Sequence, residues 1–304
     1  MLELNMLKHH KLIHYGTFFF GLCMFLYAII SAIIFNNSRF YTIFALGAYF
    51  VLDFIDYKIN KSSVMAFFLG RRHWYAFLIF LAISTIACFL VDFVLGVSIT
   101  KMWRWRNYNA FDFAMMFLFM NASYVLGMYE IFRIIRNFFK GEITEEHLLK
   151  FRLHRYVEKV IGIIAILLGI GGFLIPFFVV IYKIDFPLEF AMLLTFIGLM
   201  LIPDAMTFFL RGRPIIPQIL RVNLLMVFSV FFTIVIASLG TEILNLFGKE
   251  WEYLRMPFEK LTVLNIPLAV FVGWVPLVIS TLCIVNLVKH LTYLYDSKKS
   301  KAKK

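Results

Sequence analysis

Long runs of apolar residues alternate with short polar segments along the chain. Eight runs have close to the twenty residues or more that an α-helix needs to cross a hydrocarbon core of about 30 Å. They cover residues 14–35, 40–58, 75–98, 110–134, 159–182, 188–210, 220–246 and 265–288. Lipid offers no hydrogen-bond partners, so each run must satisfy its own backbone, as a helix does. The pattern predicts an all-α integral membrane protein with about eight transmembrane helices.

One long polar connection, residues 137–158, divides these spans into two sets of four. Within it, Thr144 can cap a helix whose first turn carries Glu145 and Glu146, with leucines on its apolar face. We therefore expect an amphipathic helix on the cytoplasmic membrane surface, joining a first half (1–136) to a second half (159–292). The basic segment 293–304 is expected to form a C-terminal tail.

The two halves carry related patterns. The third span ends near Asp92 and is followed by "KMWRWRNY", whereas the seventh ends near Glu242 and is followed by "GKEWEYL". Asp53 precedes Asp92 by 39 positions, and Asp204 precedes Glu242 by 38. These similar motifs and spacings predict an internal duplication. Because four spans per half is an even number, the repeats would run parallel, related by an axis along the membrane normal.

Composition and charge narrow the class further. The chain is 62% hydrophobic with a mean hydropathy of +0.85, which excludes a soluble domain. Its net charge of +12 could suggest a nucleic-acid partner. However, 22 of the 30 Lys and Arg residues fall on one side if both termini are cytoplasmic. The positive-inside rule therefore predicts an N-in, C-in protein of the cell membrane, with membrane lipids and not nucleic acid as its surroundings.

Acidic residues inside the spans are the main candidates for chemistry, because a charge in hydrocarbon is costly. One layer, on the predicted outer side, holds Asp92, Asp112 and Glu242 beside aromatic residues, which are Trp103, Trp105, Trp251 and Tyr253. An aromatic belt at the membrane boundary would explain the rings but not an acid inside the span in both halves. If the halves face one another, Asp92 and Glu242 would approach, and one would keep its proton. Such an acid over aromatic rings could protonate a C=C bond and stabilise the carbocation.

A second layer of acids, Asp53, Asp56, Glu130 and Asp204, lies near the arginine-rich inner boundary. Ion pairs that position the helix ends would explain it. Asp53 and Asp56, one helical turn apart, could instead share a magnesium ion in a diphosphate-dependent prenyltransferase. That class needs a second acidic motif, for which the chain offers only Asp204.

The segment "TEILNLFGKEWEYLRMPFEKLTVLNIPLAVFVGW" resembles the C-terminal signature of carotenoid hydratases of bacterioruberin-type C50 carotenoid biosynthesis. The matching positions are Thr241, Glu242, Trp251, Tyr253, Pro267 and Trp274. The skeleton is also similar to the membrane lycopene-cyclase domain. Ala269 and Val270 stand where that domain has an acid pair, which favours hydration over cyclisation. The glycine-rich stretch of the hydratases is reduced to Gly248.

Residues and resemblance together favour a membrane enzyme that hydrates a polyene C=C bond of an isoprenoid or other lipid, without a cofactor or metal. Glu242 would be the proton donor and Asp92 its partner, while Trp103, Trp105, Trp251 and Tyr253 would line the substrate site. The resemblance adds Thr241 and Trp274 to that lining. Two alternatives are a non-catalytic lipid or small-molecule transporter, with helix breaks at Pro176 and Pro203, and the prenyltransferase.

Overall fold

Ten α-helices and four short strands make up the part of the chain that the structure, a computed structural model, describes: residues 2–70, 73–143, 148–149 and 155–301. The helices are α1 (Leu2–Phe35), α2 (Tyr41–Asn60), α3 (Trp74–Cys88), α4 (Ala110–Met115), α5 (Asn121–Phe139), α6 (Arg155–Ile181), α7 (Leu188–Phe209), α8 (Ile216–Leu220), α9 (Leu224–Gly248) and α10 (Leu268–Lys301). The strands are β1 (Trp103–Trp105), β2 (Trp251–Tyr253), β3 (Thr262–Val263) and β4 (Ile266–Pro267). Three π-helical segments are Ala66–Gly70, Phe89–Ile99, which continues α3, and Met116–Met120, which joins α4 to α5.

Seven helical segments in the described residues are long and apolar enough to cross a membrane: His14–Phe35, Trp74–Ile99, Ala110–Phe139, Tyr156–Ile181, Phe190–Phe209, Leu224–Gly248 and Leu268–Ser297. The eighth predicted run forms α2, whose second half carries three charged residues, Asp53, Asp56 and Lys58. α2 packs between α1 and α5. The prediction of an all-α membrane protein with roughly eight helices is confirmed.

Glycines allow the first two helices of each half to pack closely. A Cβ atom added at Gly47 of α2 would lie 2.6 Å from the backbone nitrogen of Phe25 in α1. One added at Gly198 of α7 would collide with the carbonyl oxygen of Gly169 in α6. Gly47 and Gly198 are 151 positions apart in the chain. The α1–α2 and α6–α7 pairs are therefore built in the same way.

The packing of the longer helices also matches between the halves. α2 packs against α5, and α7 packs against α10 in the same manner. Between the halves, α5 contacts α9 and α10, while α1 contacts α9 and α6 contacts the π-helical end of α3. The main apolar core lies where α3, α5, α9 and α10 meet.

An antiparallel strand pair joins the halves at one end of the bundle. β1 pairs with β2 so that Trp103 faces Tyr253, Arg104 faces Glu252 and Trp105 faces Trp251. We call this end, formed by residues 36–40, 100–109 and 249–267, the strand end. The two related motifs, W-R-W and W-E-Y, are thus each other's hydrogen-bonding partners.

Several boundaries differ from those predicted. α5 continues to Phe139 and α6 begins at Arg155, so the helices extend into both ends of the expected linker 137–158. Thr144, Glu145 and Glu146, on which the amphipathic helix was predicted, lie outside the described residues. Residues 293–301, expected as a tail, continue α10, since the apolar pattern stops before the helix does.

Replacing Gly47 with alanine should lower the free energy of unfolding by roughly 1–3 kcal/mol, because the added methyl group meets backbone atoms that cannot move away easily. Gly198→Ala should behave alike. Thermal unfolding of the purified protein in detergent measures the effect. Gly240→Ala is the control, since its Cβ would meet nothing within 4 Å. Equal stability of all three variants would contradict the close packing.

Candidate functional site

A cavity of about 560 Å³ lies within the bundle below the strand end, and apolar side chains form most of its wall. The wall is built from α3, α5, α7, α9 and α10, together with β1, β2 and the loop that follows β2. All eight residues predicted from the sequence as site residues line it: Asp92, Trp103, Trp105, Thr241, Glu242, Trp251, Tyr253 and Trp274. The structure therefore brings the predicted set together in one place, within the size range of ligand pockets.

Glu242 lies in the last part of α9 and is 3% exposed. Its Oε1 atom accepts hydrogen bonds from the hydroxyl of Tyr253, at 2.7 Å, and from the indole N–H of Trp274, at 3.1 Å. α9 ends at Gly248 and the chain reverses into β2, which carries Tyr253 back alongside Glu242. Both donors bind the same oxygen, so Oε2 is the carboxyl oxygen left for a ligand in the cavity.

Asp92 has the matching arrangement in the first half. Its Oδ1 atom accepts the indole N–H of Trp103 at 2.5 Å, and that of Trp105 lies 3.4 Å away. Gly96 makes room for the Trp103 ring, which a Cβ atom at that position would overlap. Asp92 belongs to the π-helical end of α3, a conformation that is rare and often found at functional sites.

The strand pair explains how both acids reach one cavity. Asp92 and its donor Trp103 are eleven residues apart, and so are Glu242 and its donor Tyr253. Trp103 and Tyr253 are also opposite each other in the β1–β2 pair. Each acid is therefore fixed to one strand, and pairing of the strands sets the two acids on the same cavity.

Aromatic rings pack against one another around the acids, in edge-on and tilted contacts. The ring centroids of Tyr41 and Trp251 are 4.9 Å apart, and those of Trp105 and Trp251 are 5.4 Å apart. Tyr124 of α5 meets Trp274 of α10 at 5.8 Å. Tyr41 and Tyr124 were not among the predicted residues, because a tyrosine within an apolar run looks like any other core residue. The cavity thus has electron-rich faces beside both carboxyl groups.

Glu250 is a buried acid whose structural role the sequence did not predict. It is completely buried and accepts hydrogen bonds from the backbone N–H groups of Phe40, at 3.0 Å, and Tyr41, at 2.7 Å. Tyr108 donates its hydroxyl to the same carboxyl group. Burial raises the pKa of Glu250 to about 8, although these donors oppose the rise. Glu250 caps α2 and so ties the second half to the first.

Two other acids, Glu252 at the strand end and Asp112 in the adjoining helix α4, have partners at the surface. Asp112 forms a capping box with Asn109 and lies 3.3 Å from Arg39. Glu252 pairs with Arg104 and Arg106, which hold its pKa below the usual value. Among the described residues, Asp92 and Glu242 are the acids that line the cavity.

The acids at the opposite end hold backbone turns. Asp53 accepts hydrogen bonds from Ser63, at 2.9 Å, and from the N–H of Met65, at 2.8 Å. Asp204 accepts the N–H of Ile215 at 2.6 Å. Of the expected ion pairs with arginine, the structure shows the one between Asp56 and Arg133, at 3.2 Å.

Comparison with protein-family models, with curated proteins and with solved structures gave no match. The class of protein follows from the structure itself: a helical integral membrane protein with an apolar cavity that holds two acids, each fixed by an aromatic donor.

The raised pKa of Glu250 predicts a pH-dependent stability. With a folded-state pKa of about 8 against an ordinary 4.5, the folded protein holds a proton that the unfolded chain releases. The resulting stability is present below about pH 4.5 and is lost as the pH rises through 8. Glu250→Gln should therefore flatten the decline of the melting temperature between about pH 5 and 8, the window between the two pKa values.

The matched control is Glu252→Gln, two residues away, because the pKa of Glu252 is lowered and its titration falls below that window. The measurement is the melting temperature in detergent across the pH series. A wild-type melting temperature that does not decline with pH, or equal slopes in wild type and Glu250→Gln, would contradict the assignment.

Proposed function

We propose that the protein is a membrane enzyme that adds water to a C=C bond of a long isoprenoid polyene, with Glu242 as the proton donor. The observation that carries the proposal is the geometry of Glu242, which is buried in an apolar cavity with one carboxyl oxygen held by two aromatic donors. The resemblance of residues 241–274 to carotenoid hydratases supplies the substrate class.

The surroundings of Glu242 favour its neutral, protonated form as the working state. Among the described residues, no lysine or arginine lines the cavity, and an ionised carboxylate in hydrocarbon is costly without a cationic partner. With Oε1 occupied by Tyr253 and Trp274, the proton would reside on Oε2. A donor fixed in this way loses little freedom when it transfers the proton.

In the reaction, the O–H bond of protonated Glu242 breaks and a C–H bond forms at one carbon of the alkene. The neighbouring carbon becomes a carbocation, which the faces of Trp105, Trp251 and Trp103 would stabilise. Water forms a C–O bond to that carbon and gives up a proton, which returns to the carboxylate of Glu242. The balance is alkene plus water to alcohol, and needs only an acid, a base and water.

Asp92 would act as the partner that positions or tunes Glu242. It lines the same cavity, is held by Trp103 through Oδ1, and has no ion pair among the described side chains. A second carboxyl group in the cavity disfavours ionisation of both at once, which would help to keep the proton on Glu242. Asp92 could also orient the attacking water.

The contacts support an origin by duplication. Asp92 and Glu242 are 150 positions apart, as are their donors Trp103 and Tyr253. Gly47 and Gly198 are 151 positions apart, and so are the acids Asp53 and Asp204. We infer two parallel four-helix repeats that share one site on their axis. Together with the positive-inside rule, this supports the proposal that both termini are cytoplasmic and that the strand end is on the outer side of the cell membrane.

The two alternatives find less support. A transporter was expected to have helix breaks at Pro176 and Pro203, but both prolines lie inside continuous helices, α6 and α7. For a prenyltransferase, the carboxyl groups of Asp53 and Asp56 are already bound by Ser63, Met65 and Arg133. In the described residues no group of acids, histidines and cysteines has the geometry to hold a metal ion.

Expression in a host that accumulates an acyclic carotenoid, followed by mass analysis of the pigments, tests the proposal. Wild type should add about 18 Da per modified end, the mass of one water. Glu242→Gln keeps the shape but cannot donate a proton, so we expect at least a hundredfold less product, the usual range for a general acid. Asp92→Asn should reduce the yield by a smaller factor.

Glu252→Gln is the matched control. Glu252 is ten residues after Glu242 in the chain, and it pairs with arginines at the surface instead of lining the cavity. It should retain wild-type yield. An unchanged pigment profile with well-folded wild type, or full product from Glu242→Gln, would overturn the proposed function.

A further inference from the structure

Three buried polar groups in the cavity wall lack a hydrogen-bond partner among the described residues: the hydroxyl of Tyr124, whose ring contacts Tyr41 and Trp274, and the side chains of Ser84 and Asn121. Ser84 of α3 is 1% exposed and Asn121, the first residue of α5, is 5% exposed. Among the described residues, Ser84 Oγ and Asn121 Nδ2 have no hydrogen-bond partner, and both residues line the cavity. Buried polar atoms are almost always paired, so an unpaired atom on a cavity requires an explanation.

Ser84 differs from several other buried hydroxyl residues of the bundle. Four of them bond the carbonyl four residues earlier, namely Ser229 to Leu225, Thr233 to Ser229, Thr207 to Pro203 and Thr292 to Val288. That bond is the usual way for a helix to satisfy a hydroxyl group in an apolar region. Ser84 does not make it, and is left free to bond a group in the cavity.

The position of Ser84 separates it from the acids. Ser84, Cys88 and Asp92 follow each other at four-residue spacing on the cavity side of α3 and its π-helical end. At 1.5 Å per residue, Ser84 lies about 12 Å deeper in the membrane than Asp92. The hydroxyl of Thr85, the next residue, donates to the carbonyl of Phe117 at 3.0 Å, one helical turn before Asn121. Ser84 and Asn121 therefore belong to adjoining segments of the cavity wall, and Ser84 is well away from the carboxyl groups.

We propose that Ser84 and Asn121 form a subsite for a neutral oxygen atom, either the hydroxyl group of a long apolar ligand or a bound water. The amide Nδ2 of Asn121 donates only, so its partner must carry a lone pair, and a serine hydroxyl can donate or accept. In the part of the chain that the structure describes, no lysine or arginine lines the cavity, so an anion lacks a counter-charge. The subsite depends on the cavity and not on the hydration reaction, so binding can be tested without turnover.

Binding of farnesol and of farnesene, the hydrocarbon of the same skeleton, to the purified protein tests the subsite. Quenching of tryptophan fluorescence reports occupancy, because Trp103, Trp105, Trp251 and Trp274 line the cavity. The wild type should bind the alcohol about three- to tenfold more tightly, the gain from one or two hydrogen bonds. Ser84→Ala and Asn121→Ala should each remove most of that preference while leaving farnesene binding unchanged.

The matched control is Ser229→Ala, a buried serine of α9 that does not line the cavity. It should keep the alcohol preference, and a melting temperature for each variant shows that it is folded.

A high-resolution structure with farnesene bound distinguishes the two sources of the oxygen atom, a ligand hydroxyl group and a bound water. If the wild type shows no preference but an ordered oxygen stays between Ser84 and Asn121, water is the occupant and the subsite stands. No preference and no ordered oxygen, or equal loss in Ser229→Ala, would overturn it.

Discussion

In hydrocarbon, every polar group must find its partner within the protein, and this constraint organises the molecule. Glu242 and Asp92 sit in apolar surroundings, and each is held by an aromatic N–H or O–H eleven residues later in the chain. Those donors belong to two strands that pair with each other. The β1–β2 pair therefore fixes the acids, joins the halves and closes the strand end of the cavity at the same time.

The same constraint acts at the opposite end of the bundle. There Asp53 and Asp204 accept the backbone N–H groups of Met65 and Ile215, which lie beyond the ends of their own helices. Glu250 does so for the start of α2. Against this background, the polar atoms of the cavity wall that lack protein partners are informative. The free carboxyl oxygens of the two acids, Ser84 and Asn121 all line one apolar space, which is the arrangement expected where a ligand completes the hydrogen bonding.

Much of this arrangement could be predicted from the sequence. The lengths of the apolar runs predicted the membrane-spanning helices. The pattern of an acid followed by W-x-aromatic, which occurs twice, predicted both acids and four of the aromatic residues that line the cavity. Ser84 and Asn121 could not be found in this way, because a serine or asparagine in an apolar run is usually bonded within its own helix. Glu250 was visible as an acid, but its capping of α2 depends on a contact 209 positions away in the chain. The roles of the acids stay predictions.

The proposed function requires that Glu242 is a neutral acid facing the cavity at neutral pH. Infrared spectroscopy of the protein in lipid bilayers tests it directly, because a protonated carboxyl group has a C=O stretch distinct from the carboxylate bands. A neutral Glu242 should contribute protonated-carboxyl intensity at pH 7 that is lost in Glu242→Gln and kept in Glu252→Gln, while the part due to protonated Glu250 stays in both variants. A wild-type spectrum in which Glu242→Gln removes only carboxylate intensity would contradict it.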